Sequence, residues 1–327
     1  MDNYLKKRLK DKSIYIWGAR VVGQGFQRKA LENKLAIRRF IDSDKCIQGR
    51  VVNGTSVISP ENIVEEFEKD KNDKKTVVIA VSIKEKEIIE QLKKMGISEE
   101  LEIIKYSDYT KDFYTVDIVS ACNLRCASCA HSIPNHGVPM NIMKLEDVER
   151  VLEKIVKESP NTSHVSLYSW GEPLLHPDID KIIRMFHEKN IAVGLSTNLS
   201  HEMNSKIDIV AKCEPDYLKI SLSGYYPEAY NNTHQGGDIT LVKSNLYRLK
   251  YMLDKHNANT LVDINYHLYK DNNGKNLKKM TELAEELGFT LSTVHALIMP
   301  LERVIDYLEE KPSEQTTNLS KNLLVTI

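Results

Sequence analysis

Apolar and polar residues alternate along the chain in segments that predict β-strands and α-helices in turn. Five strand-like apolar runs fall in the first third, at residues 13–17, 37–41, 56–58, 76–81 and 101–105. Stretches with helical spacing lie between them, and the one after the fourth run ends at Gly96. Strand–helix alternation of this kind predicts a small, doubly wound α/β sheet.

A second series of strands and helices begins near residue 115, with longer units. The predicted strands are residues 115–119, 164–170, 191–196, 217–222, 261–268 and 289–295. The helix after the first of them has Val148, Val151, Leu152 and Ile155 at intervals typical of one helix face. Right-handed crossovers would arrange six such strands as a parallel sheet or as a partial (β/α)6 TIM-like barrel.

The chain of 327 residues is long enough for two domains. We predict an N-terminal domain over residues 1–110, a second domain over 111–300, and a C-terminal helix and tail over 301–327. The polar stretch 107–114 is the predicted linker. Residues 322–327 are largely apolar, which suggests the hypothesis that a longer natural protein continues beyond them.

Composition and charge exclude several classes of partner. Hydrophobic residues make up 41% of the chain and charged residues 28%, as in ordinary globular proteins. A net charge of −1 gives no indication of a nucleic-acid or anionic-membrane surface. The sequence has no apolar run near the ~20 residues that span a bilayer, and its first residues lack a signal peptide. We therefore expect a cytoplasmic protein without nucleic-acid or membrane partners.

Three of the five cysteines, Cys122, Cys126 and Cys129, follow the strand predicted at 115–119. Their spacing of three and then two residues suits an iron–sulfur cluster better than a disulfide framework. Three thiolates can bind three irons of a [4Fe–4S] cluster and leave the fourth iron open to a substrate or cofactor. The alternative is a structural zinc site completed by His131. The isolated Cys46 and Cys213 are predicted to be small core residues.

Short polar segments follow the next three strands in order. They are Gly171-Glu172-Pro173, Ser196-Thr197-Asn198 and Ser221-Leu222-Ser223-Gly224. The carboxyl ends of parallel strands meet at one edge, where reactive residues of α/β proteins collect. Four such segments at the same edge, counting the cysteine loop, predict one site. A zinc site would leave Glu172 and Asn198 unexplained.

With these motifs, residues 115–300 resemble the radical S-adenosylmethionine (radical SAM) superfamily. The Cys-x3-Cys-x2-Cys loop is its defining motif, and Gly-Glu-Pro after the second strand is its second signature. The resemblance implies that Cys122, Cys126 and Cys129 ligate a [4Fe–4S] cluster. The amine and carboxylate of S-adenosylmethionine would chelate the remaining iron. One-electron reduction would then give methionine and a 5′-deoxyadenosyl radical, which abstracts a substrate hydrogen.

The resemblance also implies roles for the strand-end residues, although it identifies no catalytic residue. Glu172, with the backbone near Gly171, would hold the methionine amine. Ser196 and Asn198 would contact the ribose, and Ser221 or Ser223 the ribose or carboxylate. The residue before the third cysteine is usually aromatic in this superfamily, but here it is Ser128. Tyr114 or Tyr168 is the predicted source of a replacement ring.

Residues 170–177 resemble the SPASM and twitch branches of the superfamily, but no cysteine for an auxiliary cluster follows Cys213. The expected substrate is a sugar, nucleotide or peptide, and the expected electron donor is a flavodoxin or ferredoxin. Two alternatives stay open. One is a non-catalytic scaffold that binds the cofactor, and the other is a methyltransferase that uses the N-terminal domain and has a structural metal site.

The turn after the first strand, Gly18-Ala-Arg20-Val-Val-Gly23-Gln-Gly25, lies where a phosphate-binding turn would lie. Arg20 takes the place of the glycine that lets backbone approach a pyrophosphate. Asp42 closes the second strand, where an acidic residue would hold a ribose hydroxyl. The segment resembles small Rossmann-like domains of nucleotide-sugar and polysaccharide-modifying proteins. It predicts nucleotide binding through Gly18, Gly23 and Asp42, with a docking or substrate-presenting domain as the alternative.

Overall fold

The computed structural model describes residues 1–69, 73–81, 84–97, 101–110, 113–133, 140–202, 204–309, 311 and 313–323. In its first third, the strands are β1 Ser13–Trp17, β2 Ile37–Ile41, β3 Val51–Val52, β4 Thr55–Ile58, β5 Lys75–Ile79 and β6 Glu102–Lys105. The helices there are α1 Asn3–Leu9, α2 Val21–Glu32, α3 Ile63–Lys69 and α4 Glu85–Lys94. The sheet order is β3-β4-β2-β1-β5-β6, parallel except for β3 against β4. This is the predicted doubly wound sheet.

The second sheet has strands β7 Tyr114–Thr115, β8 His164–Ser166, β9 Ala192–Thr197, β10 Tyr217–Leu222, β11 Leu261–Leu268 and β12 Thr290–His295. The accompanying helices are α5 Leu145–Glu158, α6 Ile179–Glu188, α7 Asn204–Cys213, α8 Pro227–Thr233, α9 Ile239–His256, α10 Lys275–Leu287, α11 Glu302–Leu308 and α12 Glu314–Leu323. All pairings are parallel, and each strand lies beside its neighbours in sequence. The partial (β/α)6 barrel is therefore confirmed.

Two predicted strands are shorter in the structure. The run 115–119 pairs with β8 only at Tyr114–Thr115, and Val119 makes an isolated antiparallel bridge to Ile142. Val116, Ile118 and Val119 are nevertheless buried, so the run is apolar because it packs into the core. The strand predicted at 164–170 ends at Ser166. Beyond these ends the chain leaves the ladder and crosses the barrel mouth.

Helix α2 lies between the two sheets. It packs against β1 and β2 on one side and against β8 and β9 on the other. Two ion pairs cross the same boundary, from Arg28 to Asp216 at 2.5 Å and from Arg20 to Asp263 at 3.3 Å. The N-terminal sheet is thereby attached to the amino-terminal ends of the barrel strands. The domain boundaries near residues 110 and 300 stay predictions.

None of the helices in the described part of the chain is long and apolar enough to cross a bilayer. Residues 111–112 of the predicted linker and 324–327 of the predicted tail lie outside the described residues.

Candidate functional site

A cavity of about 430 Å³ opens at the carboxyl ends of the barrel strands. Eight of the nine residues predicted for the cluster and cofactor line it, namely Cys122, Cys126, Cys129, Gly171, Glu172, Ser196, Asn198 and Ser221. The ninth, Ser223, is not among the lining residues. The structure thus brings together, at one edge of the sheet, four segments that are up to 99 positions apart in the sequence, from Cys122 to Ser221.

The three clustered cysteines are partly buried, and no disulfide joins any of the five cysteines, all of which are described. The Leu124 amide points at Cys122 Sγ at 3.4 Å, and Asn198 Nδ2 lies 3.7 Å from the same sulfur. Burial raises the pKa of Cys122 to about 11 and that of Cys126 to about 12, and it also raises the pKa of Cys129. The thiols are therefore protonated without a cation, and metal binding would release those protons.

Backbone hydrogen bonds hold the cysteine loop against the end of α8 and the residues just after it. The Arg125 amide donates to the carbonyl of Gln235 at 2.9 Å, and the Ala127 amide donates to that of Thr233 at 3.1 Å. Ser128 Oγ lies 2.6 Å from the hydroxyl of Tyr269. Because Tyr269 lines the cavity, a ring from the end of β11 reaches the position beside Ser128. Tyr114, one of the two rings predicted for this place, instead bonds Ser159 outside the cavity.

Gly171 lies so close to the chain before the cysteine loop that there is no room for a side chain. A Cβ built on it would lie 1.5 Å from the carbonyl oxygen of Val119, so the Gly-Glu-Pro segment packs directly on the chain that enters the cysteine loop. The next amide, of Glu172, donates to the carbonyl of Ala121 at 2.8 Å. This close approach fixes the position of the Glu172 backbone relative to the thiols.

Glu172 is buried, with 2% of its surface exposed. Its carboxylate accepts hydrogen bonds from the amides of Leu174 at 3.1 Å and Asn198 at 2.8 Å. His201 Nε2 lies 3.4 Å from one of its oxygens. The carboxylate therefore ties the loop after β8 to the end of β9, and the lone pairs not used by these amides can accept further donors.

The serines predicted for the ribose differ in their placement. Ser196 and Ser221 lie side by side in the cavity, with their hydroxyl oxygens 3.2 Å apart. Ser223 is fully buried, and its hydroxyl bonds Thr233 and the Nδ1 of His234. The side chain of Ser223 thus supports the loop after α8, since its hydroxyl is used inside the fold.

Sequence reasoning gave little weight to three further residues that line the cavity, Lys219, His234 and His267. Lys219 lines it, with Nζ 4.9 Å from the centroid of the Tyr168 ring. Burial lowers the pKa of His267 to about 4, assisted by the charge of Lys219. Burial also lowers the pKa of His234 to about 3. The period-two alternation of β10 could have identified Lys219, because it shares the face of Ser221.

The turn predicted to bind a nucleotide is filled by the chain's own groups. Asp42 accepts hydrogen bonds from the amides of Ala19 and Asp44, each at 2.9 Å. Arg20, at the start of α2, pairs with Asp44 at 2.7 Å and with Asp263 of the barrel. A Cβ on Gly23 would lie 1.8 Å from the carbonyl oxygen of Gly18, so this glycine permits close packing of helix on strand. Nucleotide binding through Gly18, Gly23 and Asp42 stays a prediction, and these contacts favour the docking alternative.

The cavity residues fit a [4Fe–4S] cluster with S-adenosylmethionine beside it. Soft thiolates are the ligands that such clusters use, and polar groups for an amine, a carboxylate and a ribose line the same space. Within the described ranges, no group of three or more His, Cys, Asp and Glu side chains is arranged to share one metal ion. A four-iron cluster makes no such demand, since each thiolate binds a different iron. His131, the proposed fourth zinc ligand, is buried and is not among the lining residues.

Comparison with known proteins places the barrel in a family. The model of the radical SAM superfamily matches residues 116–284, a little over half of the chain. A GTP 3′,8-cyclase of Limosilactobacillus fermentum is 30% identical over 147 residues, which are 42% of this chain and 42% of that protein. An S-adenosyl-L-methionine-dependent tRNA 4-demethylwyosine synthase of Methanocaldococcus jannaschii is 34% identical over 83 residues, 25% of each chain. The chain therefore spans less than half the length of these two relatives.

Solved structures give weaker matches. Native anSMEcpe with bound AdoMet is 20% identical, with a TM-score of 0.44, over 57% of this chain and 51% of that one. Streptococcus suis SuiB bound to S-adenosylmethionine is 18% identical, with a TM-score of 0.45, over 61% of this chain and 44% of that one. The family match covers every residue predicted for the cluster and the cofactor, and on that match the chain belongs to the radical SAM superfamily.

Proposed function

We propose that the chain is a radical SAM enzyme that cleaves S-adenosylmethionine reductively and abstracts a hydrogen from its substrate. One observation carries the proposal. The three thiols of the Cys-x3-Cys-x2-Cys loop open into the same cavity as the Gly-Glu-Pro segment and the ends of β9 and β10. A cluster ligand set and a polar cradle for a cofactor thus share one space.

The cluster and cofactor, when bound, supply an electron and a sulfonium whose cleavage yields methionine and a 5′-deoxyadenosyl radical. The chain contributes position and exclusion of water. Cys122, Cys126 and Cys129 would hold three irons of the cluster and leave the fourth to the cofactor. The backbone of Gly171 and Glu172, packed on the chain that enters the cysteine loop, would hold the methionine amine.

The remaining lining residues orient the cofactor. The adjacent hydroxyls of Ser196 and Ser221 are placed to bond the ribose or the carboxylate. Asn198 donates to Asn123 Oδ1 at 2.9 Å and accepts from the Ser200 amide at 2.7 Å, so its side chain is fixed between β9 and the cysteine loop. Glu172 acts mainly as a positioning residue, because its carboxylate already holds the Asn198 amide.

The substrate we propose is a small molecule or a peptide, with a flavodoxin or ferredoxin as the electron donor. The names of the two relatives point to GTP for one and to tRNA for the other, so likeness alone does not select the substrate. The volume of the cavity, about 430 Å³, is shared with the cluster and the cofactor and does not select between a sugar, a nucleotide and a peptide.

Anaerobic protein, reconstituted with iron and sulfide and reduced with dithionite, tests the proposal. We expect it to convert S-adenosylmethionine to 5′-deoxyadenosine, and we expect Cys126→Ala to reduce this to the background rate. Absence of 5′-deoxyadenosine from a fully loaded wild type would instead identify a cofactor-binding scaffold. Formation of S-adenosylhomocysteine that is indifferent to Cys126→Ala would identify a polar methyltransferase.

A further inference from the structure

Lys219 lies inside the barrel, level with Ser196 and below Ser221. In the ladder it pairs with Ser196 of β9 and Asp263 of β11, whereas Ser221 pairs with Asn265 one step nearer the mouth. Lys219 and Ser221 share one face of β10, and both line the cavity. The ammonium group is therefore placed where a substrate would extend from the cofactor into the barrel.

No carboxylate in the described part of the chain forms an ion pair with Lys219. Its Nζ lies over the face of the Tyr168 ring, 4.9 Å from the ring centroid. A partly buried cation without a counter-ion is costly, and a ring face compensates only part of that cost. The lining thus presents a positive charge that an anion would neutralise.

The acidic neighbour of Lys219 in the ladder is already used by other groups. Asp263 pairs with Arg20 at 3.3 Å and accepts a hydrogen bond from the Tyr217 hydroxyl at 2.8 Å. It also accepts from the hydroxyls of Thr290 and Ser292, each at 2.6 Å. Arg20 comes from the N-terminal sheet, so the docked sheet neutralises the floor of the barrel and leaves the charge of Lys219 unmatched.

The other titratable groups that line the cavity form no ion pair with Lys219 in the described part of the chain. Glu172 gives its carboxylate to two backbone amides at the mouth. His267 and His234 have lowered pKa values and are neutral near pH 7, so neither adds a charge beside Lys219. Among the described lining residues Lys219 is the one Lys or Arg, and the Glu172 carboxylate forms no ion pair with it, so a further anionic group could pair with Lys219.

We propose that Lys219 binds an anionic group of the substrate, a carboxylate or a phosphate, inside the barrel beside the predicted position of S-adenosylmethionine. That the anion belongs to a substrate rests on the proposed function, whereas the binding of an anion at Lys219 rests on the cavity alone. It makes Lys219 a specificity-determining residue, because a neutral analogue would leave the ammonium buried without a partner. The carboxylate of the cofactor is the competing source of the same chemistry.

Inorganic phosphate is the probe for the test. The protein is held anaerobically at constant ionic strength, with its cluster and with S-adenosylhomocysteine, which has the amine and carboxylate of the cofactor but no sulfonium to cleave. Relaxation of the ³¹P nucleus is measured before and after the cluster is reduced to its paramagnetic form. Because the thiols and Lys219 line one cavity, phosphate bound at Lys219 relaxes faster on reduction. A separate basic cleft, lined by Lys6, Lys7 and Lys10, shares no lining residue with this cavity. Phosphate bound in that cleft should therefore not show the faster relaxation.

We expect Lys219→Met to weaken this phosphate binding at least about tenfold, since a charge-assisted hydrogen bond is lost. Lys219→Arg keeps the charge and should stay within about threefold. Lys275→Met is the matched control, because Lys275 Nζ lies 4.8 Å from the Tyr226 ring but outside the cavity. If Lys219→Met does not fold, Lys219→Gln takes its place.

Equal phosphate affinity in wild type and Lys219→Met would overturn the assignment. A matching loss of S-adenosylhomocysteine affinity would also overturn it, because Lys219 would then serve the carboxylate of the cofactor. The proposed function is tested independently of the anion site. A wild type that binds phosphate through Lys219 but forms no 5′-deoxyadenosine would refute the proposed function and leave the anion site in place.

Discussion

The two sheets of this chain use the same local arrangement for different purposes. Each has a glycine soon after a strand that allows backbone to pack on backbone, Gly23 in the first turn of α2 and Gly171 in the loop after β8. In the N-terminal turn, Arg20 and Asp42 pair with groups of the chain itself. At the barrel mouth, thiols and hydroxyls line an open cavity.

The difference shows that backbone shape alone does not make a turn bind a ligand. Polar groups of the turn must also be left free to contact the ligand. Both oxygens of Asp42 accept hydrogen bonds from amides of its own turn region, those of Ala19 and Asp44. Arg20 extends to Asp263 and joins the turn to the barrel floor. The barrel loop satisfies its own backbone through Gln235 and Thr233, and its sulfurs stay in the cavity.

The largest expected effect separates the clustered cysteines from the isolated ones. Cys126→Ala removes one cluster ligand, and we expect bound iron to fall from about four atoms per chain to nearly none. Cys213→Ala, which changes a cysteine packed on the barrel core, should retain the full iron content. Iron and sulfide analysis of reconstituted proteins checks both. Equal iron loss in the two variants would contradict the assignment of the ligands.

A second prediction compares the two close-packed glycines. Alanine at Gly171 or at Gly23 would place a Cβ within 2 Å of a carbonyl oxygen, so each variant should lose about 3 kcal/mol or more of the free energy of unfolding. Gly194→Ala is the control, since a Cβ there meets only ordinary contacts at 3.7 Å and beyond, and it should change that value by less than about 1 kcal/mol.

The cluster should distinguish the two destabilised variants. Gly171→Ala displaces the chain entering the cysteine loop, so we expect it to lose iron, whereas folded Gly23→Ala should reconstitute normally. Denaturant unfolding and iron analysis on the same samples provide both readouts. Iron loss in Gly23→Ala at a denaturant concentration where it is folded would break the comparison between the two turns.

A smaller effect is expected where the two sheets meet. Arg20→Met removes the cation that pairs with the buried Asp263. Because the Arg20 side chain is about one-third exposed and solvent screens the pair, the free energy of unfolding should fall by about 2 kcal/mol. In a double-mutant cycle with Asp263→Asn, the second change should recover much of that loss. Strictly additive losses would show that Arg20 does not neutralise Asp263.

Acid should weaken the same boundary. Burial by itself would raise the pKa of Asp216 and of Asp263, but hydrogen bonds and the charges of Arg28 and Arg20 outweigh it and hold both pKa values below the usual range. The folded state then binds fewer protons than the unfolded chain below about pH 4, the ordinary aspartate value. The free energy of unfolding should therefore fall as the pH falls through that region, and less steeply in Asp263→Asn.

Much of the barrel site could be predicted from the sequence because strand order and strand ends follow from periodicity. Eight of the nine predicted cluster and cofactor residues line one cavity. Ser223 departs because alternation along the strand does not continue into the turn, where its hydroxyl bonds His234. Cys46 is exposed, so the prediction that it is a core residue was wrong. A lone cysteine has no sequence pattern from which its burial could be predicted.

Contacts between the two sheets could not be predicted, because they join positions far apart in sequence without a local signature. Arg20 looked like a defect in a phosphate-binding turn, and its partner Asp263 lies 243 positions further along the chain. The tyrosine beside Ser128 likewise comes from the end of β11. Such pairings depend on tertiary packing, which periodicity does not encode.

Mössbauer spectroscopy of anaerobic, ⁵⁷Fe-reconstituted protein tests the central claim most directly. Three thiolates on four irons predict one iron in four with a distinct environment, whose signal shifts when S-adenosylmethionine is added while the other three change little. Four equivalent irons, or a spectrum that S-adenosylmethionine leaves unchanged, would contradict the open iron position on which the proposed function depends.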